Sequence, residues 1–159
     1  MVYPGSFDPI THGHTNLISR ALEMFDHVTV AIGTSLDKDP ERYLHDRLEL
    51  CRAALAEFGE RVSVEAFNGL LVDFLKTRDT RFVLRGVRTL TDYDYEFQMI
   101  EMNRMLYPEI AYVLLPTAHE WSFLSSSRVR EIADLGGDIS PFVHPAVAKH
   151  YRAGNTASR

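Results

Sequence analysis

The chain has 159 residues, 45% apolar and 25% charged, enough to bury one sizeable core and ordinary for a soluble globular domain. Its net charge of −5 argues against a general nucleic-acid surface, so any anion site must be a local concentration of positive groups. No apolar run reaches the roughly 18–20 residues of a membrane span, and the first residues lack the basic region and cleavage site of a signal peptide.

Met1–Tyr3 predicts a first strand. A helix over 14–25 follows, with Leu17, Ile18, Ala21, Leu22 and Phe25 on one face. Val28–Ile32 is the second strand, and the next helix covers 44–58. There the lone cysteine, Cys51, is in phase with Leu44, Leu48, Leu55 and Phe58, which predicts a buried thiol rather than a nucleophile. One cysteine makes no internal disulfide, as suits a reducing cytoplasm. Strand Val62–Phe67, a helix over 70–78, strand Phe82–Leu84, a helix over 93–107 and strand Ala111–Leu115 continue the alternation. Helices near 127–135 and 145–151 close it, the first stopped by Gly136-Gly137. Residues 152–159 (RAGNTASR) carry no apolar anchor and are expected to form a flexible tail outside a domain spanning 1–151.

Strands alternating with helices predict β-α-β units. The expected fold is therefore a single α/β domain, a Rossmann-like, doubly wound parallel five-stranded sheet with helices on both faces. Ligands in such sheets bind beyond the strands' carboxyl ends, where the strand order reverses. In the order 3-2-1-4-5 that point lies between the first and fourth strands. It brings together the loop after Tyr3, reading PGSFDP, and the loop after Leu84, reading RGVR.

Three stretches carry chemistry. In Pro4–His14, Gly5 permits close backbone approach, Ser6 adds a hydroxyl, and Gly13-His14 stands at a helix start that favours an anion. A plain turn capped by Asp8 or Thr11, with two exposed histidines, fits the same spacing equally well. Arg85 and Arg88 flank Gly86 and suit a polyphosphate, or else pair with the acidic run from Asp92 to Glu96. In the third stretch, EWSFLSSSRVR, the serines read first as helix caps. Arg128 and Arg130 then place positive charge where the helix dipole disfavours it, which a bound polyanion or a salt bridge to Glu131 or Asp134 would relieve. No histidine has convincing metal-ligand spacing, and no G-x-S-x-G elbow is present.

Together these stretches resemble the bacterial phosphopantetheine adenylyltransferases of the T-x-G-H nucleotidyltransferase superfamily. The resemblance rests on Thr11-His12-Gly13-His14 within YPGSFDPITHGH, on RGVRTLTDYDYEFQMIEMNR and on EWSFLSSS, and runs from about Val2 to Val147. It implies transfer of the adenylyl group of Mg-ATP to 4'-phosphopantetheine. It further implies that Ser6 meets both substrates, that the backbone of Phe7 meets ATP, and that His14 stabilises the transition state. Lys38 and Arg85 would hold the acceptor phosphate, with Leu71 in the pantetheine pocket. Gly86, Val87, Arg88 and Glu96 would line the ATP site, completed by Trp121, Ser122, Phe123, Leu124, Ser125, Ser126 and Ser127. Mg2+ would travel with ATP, with no protein ligand named. Coenzyme A is the implied feedback ligand, a homohexamer the implied assembly and the cytoplasm the implied compartment, with no nucleic-acid or membrane partner.

Two departures from the family pattern stand out. Ser6 replaces a frequent threonine, and His119 a frequent lysine. The competing readings are an adenylyltransferase for nicotinamide mononucleotide, a non-catalytic nucleotide sensor, and a flavodoxin-like electron carrier.

Overall fold

A computed structural model describes residues 1–34 and 40–157. Five parallel strands form one sheet: β1 (Val2–Gly5), β2 (Val28–Gly33), β3 (Val62–Phe67), β4 (Phe82–Val87) and β5 (Ala111–Pro116). Their order is β3-β2-β1-β4-β5, so the switch point lies between β1 and β4 as expected. The helices are α1 (His12–Ala21), α2 (Pro40–Leu55), α3 (Leu71–Thr77), α4 (Leu90–Leu106), α5 (Ser126–Asp134) and α6 (Pro145–Ala157).

Alternation along the strands sorts the core into two layers. Tyr3, Val30, Ile32 and Leu84 point to one face, where they meet Leu17 and Ile18 of α1, Cys51 and Leu55 of α2, Val129 of α5 and Val147 of α6. Val2, Ala31 and Val83 point to the other, against Val72, Phe74 and Leu75 of α3. Strands buried on both faces explain why they read as continuous apolar runs.

Several boundaries differ from expectation. β4 continues through Arg85, Gly86 and Val87, which pair with Leu114, Leu115 and Pro116 of β5, so most of RGVR is strand rather than loop. The sheet partner supplies this extension, not the local sequence. It also explains Gly86, where an added Cβ would lie 2.3 Å from Cδ1 of Leu17. The first helix starts at His12 and ends at Ala21, earlier at both ends than its apolar stripe indicates. The last helix runs to Ala157, beyond the expected end at 151, and Arg152 is tied to Asp138 at 2.8 Å. Gly136 adopts φ 80° as the stop of α5, with the N–H groups of Gly136 and Gly137 bonded to the carbonyls of Ala133 and Ile132.

Candidate active site

A cavity of about 520 Å³ opens at the carboxyl ends of β1 and β4. The PGSFDP turn forms one wall. Gly5 is needed there because a Cβ would sit 2.9 Å from the Phe7 ring, which is itself buried and packs edge-on against Tyr3. Ser6 is exposed at the cavity wall, and its hydroxyl makes no hydrogen bond among the described residues.

The N-cap of α1 is Thr11, not Asp8. Its backbone N–H donates to Nδ1 of His14 at 3.0 Å, and its hydroxyl lies 2.9 Å from the same nitrogen. His14 lines the cavity and leaves Nε2 for a ligand. Burial, followed by the charges of Arg88 and Arg85, lowers its pKa from 6.5 to about 4. The ring is therefore neutral near pH 7, a hydrogen-bond donor at the head of a helix. His12 goes elsewhere: its ring lies 5.4 Å from Trp121 beside a second cavity of about 270 Å³.

The arginines do pair with the acidic run, yet they also line the cavity. Arg85 donates Nε to one Glu96 oxygen at 2.7 Å, Nη2 to the other, and Nη1 to the Pro4 carbonyl at 2.8 Å. This is no exposed surface pair, with side chains 28% and 9% accessible. Burial alone would lower the pKa of Arg85, but the bond and charge of Glu96 outweigh it and raise it. A guanidinium has five N–H groups, so about two remain for a ligand. Arg88 bonds Asp92 at 3.0 Å and the Leu124 carbonyl at 3.0 Å. Asp92 loses some stability as an anion through burial, but the bonds from Arg88 prevail and lower its pKa.

The third wall is the start of α5. Ser125 is the cap, accepting from the Arg128 N–H at 3.3 Å. Leu124, Ser125 and Ser126 line the cavity, although the Ser126 hydroxyl donates to the Pro9 carbonyl at 2.8 Å. Ser127 does not line it and bonds Ser125 at 3.2 Å. Arg130 pairs with Asp8 at 3.0 Å rather than with Glu131 or Asp134. Of the other expected site residues, Gly86 and Glu96 line the cavity, whereas Val87 and Leu71 do not; Leu71 packs at the α3 face of the core. Trp121 borders the second cavity, Ser122 bonds the His119 carbonyl, and Phe123 is 62% exposed. Lys38 lies outside the described residues.

Sequence reasoning missed Tyr3, Thr91, Asp92, Tyr95 and Thr117, all of which line the cavity. Their positions at strand ends and on the first turns of α4 were the available signal. No helix among the described residues is long and apolar enough to cross a membrane.

The sequence profile of the Cytidylyltransferase-like family matches residues 2–132. A phosphopantetheine adenylyltransferase of Coxiella burnetii is 48% identical over 149 residues, covering 94% of this chain and 92% of the relative. One from Aromatoleum aromaticum is 51% identical over 146 residues, covering 92% and 89%. The fold resembles that of the Plasmodium falciparum nicotinic acid mononucleotide adenylyltransferase complexed with NaAD. That match has a TM-score of 0.68 and 18% identity, and covers 97% of this chain and 94% of the other.

Proposed function

Since the chain belongs to the phosphopantetheine adenylyltransferases, we propose that the cavity between β1 and β4 seats the reacting phosphates of both substrates. The enzyme transfers the adenylyl group of ATP to 4'-phosphopantetheine, giving 3'-dephospho-coenzyme A and pyrophosphate, the penultimate step of coenzyme A biosynthesis. The observation that carries the site reading is the meeting of His14, Arg85 and Arg88 around one cavity at the switch point.

The acceptor is a phosphate monoester, largely ionised at neutral pH, and needs no strong base. Its oxygen attacks the α-phosphorus of ATP, the new O–P bond forms, and the bond to the β-phosphate breaks to release pyrophosphate. Alignment and charge neutralisation then suffice for catalysis. His14 donates Nε2–H to an α-phosphate oxygen, where charge accumulates in the transition state. Lys38 and Arg85 hold the acceptor phosphate, and Leu71 borders the pantetheine arm. Ser6 serves both substrates, and Phe7 meets ATP through its backbone. Gly86, Val87, Arg88 and Glu96 flank the nucleotide, and residues 121–127 complete its pocket at the head of α5.

Among the described residues no three His, Cys, Asp or Glu side chains are grouped to hold a metal ion. Mg2+ would be carried with ATP and would supply charge neutralisation for the leaving pyrophosphate, with no protein ligand assigned to it. The working form is a homohexamer in the cytoplasm, with coenzyme A as feedback ligand. Supporting an assembly, Leu90, Phe97, Met102, Met105 and Leu106 of α4 are each at least half exposed.

Nicotinamide mononucleotide, the competing acceptor raised by the sequence, is the second acceptor to test. A coupled pyrophosphate-release assay with ATP and both acceptors in competition decides between them. Turnover with 4'-phosphopantetheine is expected, and preference for the mononucleotide would overturn the reading.

A further inference from the structure

Two arginines outside the cavity hold the turn that carries Ser6. Arg47, on α2, donates Nη1 to the Ser6 carbonyl at 2.9 Å and to the Gly33 carbonyl at 3.4 Å, while its Nε donates to the Tyr43 carbonyl at 3.2 Å. Arg130, on α5, donates Nη1 to the Asp8 carbonyl and, at 3.0 Å, to the Asp8 carboxylate. A guanidinium thus grips the main chain on each side of Phe7.

Phe7 has φ 45°, in the left-handed region that a bulky L-residue holds only when its surroundings fix it. The Phe7 ring is buried and cannot be released without opening the core. Neither arginine lines the cavity. Both spend donors on carbonyl oxygens of one turn, and Arg130 adds the Asp8 carboxylate. They also come from different helices, α2 following β2 and α5 following β5, so two separate elements hold the turn.

We propose that Arg47 and Arg130 are positioning residues: they clamp the Ser6–Asp8 turn so that the Ser6 hydroxyl faces the reacting phosphates. Their effect on rate rests on the adenylyl-transfer reading above. Their effect on the turn does not.

The test uses Arg47→Ala, Arg47→Lys and Arg130→Ala, each alone and combined with Ser6→Ala. Three quantities are read: kcat/KM for adenylyl transfer, melting temperature, and amide hydrogen exchange at Phe7 and Asp8. Each alanine variant is expected to speed exchange at those two amides and to lower kcat/KM by roughly 10–100-fold, the scale of a small misplacement of a reacting group. Arg47→Lys, which keeps the charge without the fork, should recover part of the loss and keeps the test open if Arg47→Ala folds poorly. Because the clamp acts through Ser6, adding Ser6→Ala should cost little beyond the single change. Losses that multiply, or unchanged exchange at Phe7 and Asp8, would overturn the clamp. A wild-type protein that fails to adenylate 4'-phosphopantetheine would instead sink the functional reading, and the exchange rates would still decide the clamp.

Discussion

The backbone N–H of Thr11 donates to Nδ1 of His14 across 3.0 Å, which makes that nitrogen an acceptor. The neutral ring therefore carries its proton on Nε2, the nitrogen left for a ligand. Ring resonances of His14 should show the Nε2–H tautomer from pH 6 to 8 and titrate with a midpoint near the value of about 4 set by burial and the two arginines. The folded-state value lies below the ordinary 6.5, so the stability linked to this group is intact above about pH 6.5 and declines as pH falls towards 4. A midpoint near 6.5, followed by nuclear magnetic resonance, would show that His14 is not withdrawn from water.

Arg85 is saturated on one edge by Glu96, while its Nη1 also donates to the Pro4 carbonyl at 2.8 Å. Arg85→Lys keeps a cation but loses the fork, so use of 4'-phosphopantetheine should weaken by about tenfold while ATP binding holds. Arg88→Ala should show the opposite bias, towards loss of ATP. Titration of each variant with each substrate checks the division, and equal losses for both substrates would mean the two cations are wrongly divided.

Gly86 faces Leu17 of α1, with no room for a methyl group at 2.3 Å from Cδ1. Gly86→Ala should destabilise the protein by about 1–3 kcal/mol through overpacking between β4 and α1. An unchanged melting temperature would mean that the Leu17 side chain has somewhere to go.

At Ser6 the hydroxyl, not the size, should matter. Ser6→Thr keeps the donor, and activity should stay within a few-fold. If the Ser6 hydroxyl bonds a substrate phosphate as proposed, Ser6→Ala should forfeit about 1.5–3 kcal/mol, hence roughly a 10–150-fold fall in kcat/KM. An alanine variant with lower melting temperature and intact kinetics would return Ser6 to the turn alone.

Much of the fold was legible because buried parallel strands leave apolar runs of fixed length, and their alternation with helices leaves few topologies. What was not legible depended on partners distant in sequence. Arg85 to Val87 extend β4 only because Leu114 to Pro116 lie alongside. The partner of Arg130 is Asp8, 122 residues away, where local spacing offered Glu131 and Asp134. Within the site, the motif separated His14 from His12, but not the reason for it. His14 turns into the cavity because Thr11 fixes its Nδ1, while His12, two residues earlier on the same helix, faces Trp121. The arginine loop offered two readings, phosphate or carboxylate. The structure pairs both arginines with carboxylates while they line the cavity.

In the proposed mechanism a neutral His14 stabilises the adenylyl transition state. The most direct test of that role is the rate of 3'-dephospho-coenzyme A formation by His14→Ala with ATP and 4'-phosphopantetheine both saturating, alongside His12→Ala. His14→Ala should lower kcat by roughly 10²–10³-fold, the range for losing one preorganised donor, with modest change in KM. His12→Ala should be nearly silent. A wild-type kcat in His14→Ala would mean that His14 does not stabilise the transition state.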